Sequence, residues 1–189
     1  MVQRGCWPAH ATSIIEPMKI RPAVAEDALA IAVVHLRSWQ AAYQGLVPQD
    51  FLDGLDVSHR RLAWQRILGE TEWPRAGTFV AEIDKDAVGF VNVGSTRDGD
   101  EDPATVGEVT AIYVLGEAWG TGAGRRLMAA AVDSLTQAGF DQATLWVLDK
   151  NHRTRRFYET GGWRPDGAVK RDDLRGFPLT EVRYRRLFS

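Results

Sequence analysis

The sequence predicts an α/β fold, a mixed sheet covered by helices. Three observations lead there. The periodicity reads strand, two helices, three strands, helix, strand, helix, two strands. A hairpin-rich first half is followed by a strand–helix–strand unit, which a mixed sheet accommodates. The chain has 189 residues, 44% hydrophobic and 25% charged, which suits one globular domain.

Met18 to Arg21 reads as a short edge strand ended by Pro22. Glu26 and Asp27 suit the first turn of a helix. Its apolar face runs Ala28, Ile31, Ala32, Leu36, Trp39, Ala42 and Tyr43, and Gly45 and Pro48 stop it. A second helix is predicted over Asp50 to Leu68, weakened at Gly54. Thr78–Ile83 and Ala87–Val93 read as two arms of a hairpin about the Asp84-Lys85-Asp86 turn. Asp98 to Pro103 is a loop, and Val106 to Leu115 is the longest strand. A helix follows from Gly122 to Gln137, with Leu127, Ala130, Ala131, Ser134 and Leu135 inward and Gly139 at its end. Ala143–Leu148 is a strand and His152–Thr160 a short helix stopped by Gly161-Gly162. Strands near Trp163–Lys170 and Thr180–Leu187 close the chain.

The charge balance, 23 Lys+Arg against 25 Asp+Glu, leaves no electrostatic footprint for nucleic acid. Cys6 is the lone cysteine, so an internal disulfide and a thiolate metal cluster are both excluded; a reducing, cytoplasmic setting is expected. The longest apolar run, Ala28 to Leu36, is interrupted by His35 and falls short of the roughly 20 residues a spanning helix needs. Residues 1 to 17 do not read as a secretory signal. They are expected to be a loose extension before a second start-like Met18, leaving 18–189 as a single domain.

The chemical signal is Trp119-Gly120-Thr121-Gly122-Ala123-Gly124-Arg125-Arg126, between a strong strand and a strong helix. Glycines leave backbone N–H groups uncovered, and a helix start adds unpaired N–H groups and partial positive charge. Two arginines in the first turn oppose the helix dipole unless an anion, such as a diphosphate, sits there. The P-loop pattern is absent and the dinucleotide Gly-x-Gly-x-x-Gly spacing fits poorly. A nucleotide-dependent oxidoreductase is accordingly disfavoured.

This loop resembles that of the GNAT superfamily of acyl-CoA-dependent N-acetyltransferases, which carries Gln/Arg-x-x-Gly-x-Gly/Ala between its fourth strand and the next helix. The spaced Gly122 and Gly124 suit that pattern beside Gly120; Trp119 departs, standing where the family usually has Gln or Arg. Asn151, Tyr158 seven residues on, then Gly and Trp163, resemble the second signature. The resemblance spans about Met18 to Ser189. It implies a mostly antiparallel central sheet with a splayed parallel pair, flanked by helices. It implies acetyl-CoA as cosubstrate, no metal, an amine acceptor, and a homodimer among the open oligomeric states.

By the same resemblance Tyr158 donates a proton to the departing CoA thiolate. A phenol near pKa 10 beside a thiol near 8.5 makes that plausible. Asn151 contacts the pantetheine arm, or is an ordinary helix cap, or both. Glu108, eleven residues before Trp119, is the candidate base. Alternation places Glu108, Thr110, Ile112 and Val114 on one strand face; the competing reading of Glu108 is a strand-end salt bridge. The stretch Ile112-Tyr113-Val114 resembles the one whose N–H groups hold the acetyl carbonyl. Trp119, Gly120, Thr121, Gly122, Ala123, Gly124 and Arg125 are expected around the diphosphate. Trp39 and Tyr43 are aromatic core candidates that the resemblance also places against the acceptor.

Other features carry less. His35 reads as a core or boundary histidine, and His59 and His152 lack ligand partners at metal spacing. Asp98, Asp100 and Asp102 imitate a calcium loop until Pro103 occupies the glycine position, so a solvated loop that steers an amine is expected. The acceptor itself stays open among polyamine, amino acid, antibiotic, peptide N-terminus and protein lysine. A non-catalytic acyl-CoA sensor is the alternative from another class.

Overall fold

The computed structural model describes residues 18–174 and 176–188. Cys6 and the expected N-terminal extension lie outside the described residues. Seven strands form one sheet in the order β1-β2-β3-β4-β5-β7-β6. They are β1 (Lys19–Pro22), β2 (Gly77–Ile83), β3 (Asp86–Ser95), β4 (Val106–Val114), β5 (Gln142–Leu148), β6 (Arg164–Leu174) and β7 (Phe177–Leu187). Strand β1 is an edge, as the proline required. Asp84 and Lys85 both have positive φ, 51° and 72°, the pair of values a type I′ hairpin turn needs.

The helices are α1 (Ala28–Ala42), α2 (Gln49–Asp53), α3 (Val57–Gly69), α4 (Ala123–Gln137) and α5 (His152–Thr160). The single helix expected over Asp50–Leu68 is thus two helices. Gly54 ends the first, and Asp56 caps the second by accepting from the Ser58 N–H at 2.6 Å.

Two apolar layers fix the helices to the sheet. On one face Leu127, Ala131 and Leu135 of α4 pack on Val91, Val93 and Val109. On the other, Ile31 and Ala32 of α1 and Trp64 and Leu68 of α3 pack on Val80 and Phe90. At the sheet's far end Leu52 of α2 meets Leu148 of β5.

Every neighbouring strand pair is antiparallel except β4 with β5. That parallel ladder has three pairs, Val106↔Gln142, Gly107↔Ala143 and Glu108↔Thr144, and then ends. Both strands continue, β4 paired with β3 out to Val114 and β5 with β7 out to Leu148. The two strands therefore part into a wedge, and residues 106–109 are buried while 110–114 are half-buried.

The expected strand face needs correction. Asn92 pairs with Ala111 but Val93 pairs with Val109, so β4 carries one extra residue at a bulge. The bulge inverts the alternation. Val109 joins Ile112 and Val114 on the α4 face, whereas Ala111 and Tyr113 face α1. Glu108 therefore does not share a face with Ile112 and Val114.

The Asp98–Pro103 loop also differs from expectation. Arg183, only 5% exposed, pairs with Asp98 at 3.1 Å, Asp100 at 2.8 Å and Glu101 at 3.2 Å, and Trp146 donates its indole N–H to Asp98. These acids pin the loop to β7 instead of standing free in solvent.

Candidate active site

The glycine segment sits at the mouth of the wedge, between the end of β4 and the start of α4. Gly120 and Gly122 have φ of +84° and +90°, a left-handed backbone that a side chain disfavours. Gly122 is the N-cap of α4, and having no side chain it leaves the helix start open to a ligand. Thr121 donates its hydroxyl to the Ala118 carbonyl at 2.8 Å and receives the Ala123 N–H at 3.4 Å, which holds the bend. Among the described residues no partner stands opposite the N–H groups of Gly120 and Gly122. Arg125 is exposed and makes no side-chain hydrogen bond or ion pair there. Arg126 instead donates to the Met18 carbonyl at 2.6 Å. Uncovered amides, a helix start and an unpaired guanidinium are the features that suit an anion.

Trp119 is tied into this loop. Its indole N–H donates to the Val114 carbonyl at 2.9 Å, and the Arg153 guanidinium stacks on its ring at 3.5 Å from the centroid. Gly124 brings α4 against α5 and β4: a Cβ there would lie 3.5 Å from the Phe157 ring and 3.8 Å from Val114. Loop, wedge and α5 thus converge on Ile112–Val114.

Tyr158 follows Phe157 on α5 and is 5% exposed, ringed by Phe157, Trp163 and Tyr184 at centroid distances of 5.4, 6.5 and 6.1 Å. Burial, reinforced by the nearby Tyr113 phenol, pushes its pKa well above the ordinary tyrosine range. Its hydroxyl makes no hydrogen bond among the described residues, so the proton is available. Asn151 is buried and caps α5, accepting from the Thr154 N–H at 3.2 Å.

Glu108 lies where the parallel ladder ends, 2% exposed. Arg97 holds it three ways: by its backbone N–H at 3.0 Å, by Nε at 3.0 Å and by Nη2 at 2.5 Å. A carboxylate offers about four lone-pair directions, so one remains. Tyr113 stacks on His35 at 4.7 Å, and its hydroxyl lies 3.4 Å from that of Tyr43. Trp39 packs edge-on to Tyr43 at 5.0 Å. Trp39 and Tyr43 therefore adjoin the wedge through Tyr113.

Sequence reasoning missed Arg97 and Arg153. Arg153 was legible only as one of several cations on an exposed helix. Arg97 sits in a loop, and only its contact with Glu108 distinguishes it. Among the described residues no three His, Cys, Asp or Glu side chains group as metal ligands.

The acetyltransferase (GNAT) family model matches residues 39–163. The chain is 37% identical over 134 residues to an uncharacterized N-acetyltransferase, YuaI, of Bacillus subtilis (strain 168), covering 70% of this chain and 72% of that protein. Its fold is similar to that of PaiA N-acetyltransferase from Thermoplasma acidophilum in complex with coenzyme A. The TM-score there is 0.67 at 17% identity, over 91% of this chain and 99% of that one. It is also similar to yncA of Salmonella typhimurium with its cofactor acetyl-CoA. Here the TM-score is 0.69 at 19% identity, over 92% of this chain and 95% of that one.

Proposed function

The chain belongs to the acetyltransferase (GNAT) family, and from that premise we propose that it moves an acetyl group from acetyl-CoA directly to a primary amine. The observation that carries the reading is the β4/β5 ladder that stops after three pairs. It leaves one edge of β4 without a strand partner from Val109 to Val114, with the glycine loop at its mouth. Unpaired strand amides seek acceptors, and an acyl-pantetheine arm supplies them. Solved proteins of similar fold hold coenzyme A and acetyl-CoA, which supports the choice of cosubstrate.

In this reading the N–H groups of residues 120–125 and the Arg125 and Arg153 guanidinium groups hold the diphosphate. Asn151 positions the pantetheine arm. A β4 amide in the Ile112–Val114 stretch donates to the thioester oxygen, and that donation strengthens as the oxygen gains charge. The amine nitrogen attacks the acetyl carbon, the C–S bond breaks, and Tyr158 gives its proton to the sulfur. Glu108 takes the amine proton through its remaining lone-pair direction, directly or across a water. No covalent acyl-protein is needed.

The test is a free-thiol assay of the purified protein with acetyl-CoA against an amine panel, alongside calorimetry with CoA. Thiol release that depends on an added amine is expected. CoA binding without release from any amine would favour an acyl-CoA sensor. No heat with CoA at millimolar concentration would remove both.

A further inference from the structure

Arg60 stands apart among the half-buried arginines. Of the other half-buried arginines, Arg21, Arg155 and Arg185 each meet a carboxylate, and Arg75 and Arg186 donate to backbone carbonyls. Arg60, on α3, meets none among the described residues, and its side chain donates no hydrogen bond there. Its guanidinium sits 5.6 Å from the centroid of Trp39. Both residues line a cavity of about 270 Å³ between α1 and the α2–α3 junction. Asp56 lines the same cavity; one of its oxygens accepts the Ser58 N–H at the helix cap, and it makes no ion pair with Arg60. A guanidinium that pairs with no carboxylate is available to an anionic ligand.

One wall of the cavity backs onto β4. His35 lines its wall and stacks on Tyr113, at 4.7 Å and an interplanar angle of 22°. Tyr113 directly follows Ile112 on β4. His35 accepts from the Trp64 indole N–H through Nδ1 at 3.2 Å. Burial and the Arg60 charge lower its pKa to about 3, so it adds no second charge.

We propose that this cavity receives the acceptor and that Arg60 binds a carboxylate on it, making the substrate class free amino acids and short zwitterionic amines. The inference rests on the acetyl-transfer reading above. A polyamine would bring more positive charge against Arg60, whereas a carboxylate on the acceptor would meet it.

The experiment compares the common L-amino acids with their carboxamides, and spermidine, as acceptors from acetyl-CoA, reading free thiol. At least one acid should exceed its amide by about 10- to 100-fold in kcat/KM, the range of a charge-assisted hydrogen bond. Arg60→Gln should shrink that ratio toward one, chiefly by raising KM for the acid, and Arg60→Lys should keep part of it. Equal use of acid and amide by the native protein, preference for spermidine, or a ratio unmoved by Arg60→Gln overturns the inference while CoA still binds. Failure to bind CoA, or binding without thiol release from any amine, instead overturns the acetyl-transfer reading beneath it.

Discussion

The Arg153 guanidinium lies 3.5 Å from the ring centroid of Trp119, whose indole N–H is fastened to the Val114 carbonyl. One aromatic side chain thereby locks the end of β4 and orients a cation from the first turn of α5. Trp119 occupies the loop position where a polar or cationic side chain is usual in the family, and the stacked Arg153 restores positive charge by another route. Arg153→Gln should weaken CoA binding about five-fold, roughly the 1 kcal/mol of an exposed charged contact. The loss should shrink as salt rises. Trp119→Ala should do the same, and the double variant should fall short of the sum, because both changes remove one interaction. Titration calorimetry at two salt concentrations reads this; an unchanged affinity for Arg153→Gln removes Arg153 from the site.

Gly122 and Gly124 are adjacent in the motif but differ in kind. Gly122 has φ +90°, whereas a Cβ on Gly124 would make only ordinary contact, at 3.5 Å with Phe157. Gly122→Ala should therefore destabilise the protein by about 1–2 kcal/mol through left-handed strain and weaken CoA by at least ten-fold. Gly124→Ala should leave the melting temperature level or higher, since alanine favours a helix. Thermal melts with and without CoA check the contrast. Equal behaviour of the two variants would mean that the bend at Gly122 does not shape the loop.

Element types were legible because periodicity reports which face is buried. The two features that shape the site were less so. The bulge in β4 adds one residue through a pairing with β3, and a strand's own sequence does not record its partner's register. The wedge is likewise a property of two strands: β4 and β5 read alike whether their ladder has three pairs or seven. The glycine loop was legible because its backbone demands are local. Arg60, Arg97 and Arg153 were not, since an arginine's role lies in what it meets across the fold. The Asp98–Glu101 acids looked solvated for the same reason, as Arg183 and Arg185 reach them from more than eighty positions away.

Tyr158 combines burial with a proton free of competing acceptors. Because burial raises its pKa, the phenol remains protonated through the physiological range and stands as a donor. Tyr158→Phe keeps the ring packing against Phe157, Trp163 and Tyr184 and removes only the donor. Turnover should fall about 100-fold, the lower end for a positioned acid, with acetyl-CoA affinity changed less than two- to three-fold. Single-turnover kinetics beside calorimetry separate the two quantities. A variant that turns over as fast as the native protein when chemistry limits the rate takes Tyr158 out of the proton path.

His35 gives the fold an acid-sensitive point. Its pKa falls from an ordinary 6.5 to about 3, first through burial and then through the Arg60 charge. Between those values the unfolded chain takes up a proton that the folded protein refuses, so stability declines as pH drops. The slope is about 1.4 kcal/mol per unit for this one group. His35→Gln keeps a hydrogen-bond acceptor for Trp64 and removes the titration. The native protein should lead the variant most above pH 6.5, and the lead should narrow by about 2 kcal/mol at pH 5. Urea unfolding at pH 7.5 and 5 measures that difference, in which every other titrating group cancels. Parallel losses in the two proteins would show that His35 takes its proton as readily folded as unfolded, and would place the acid sensitivity elsewhere.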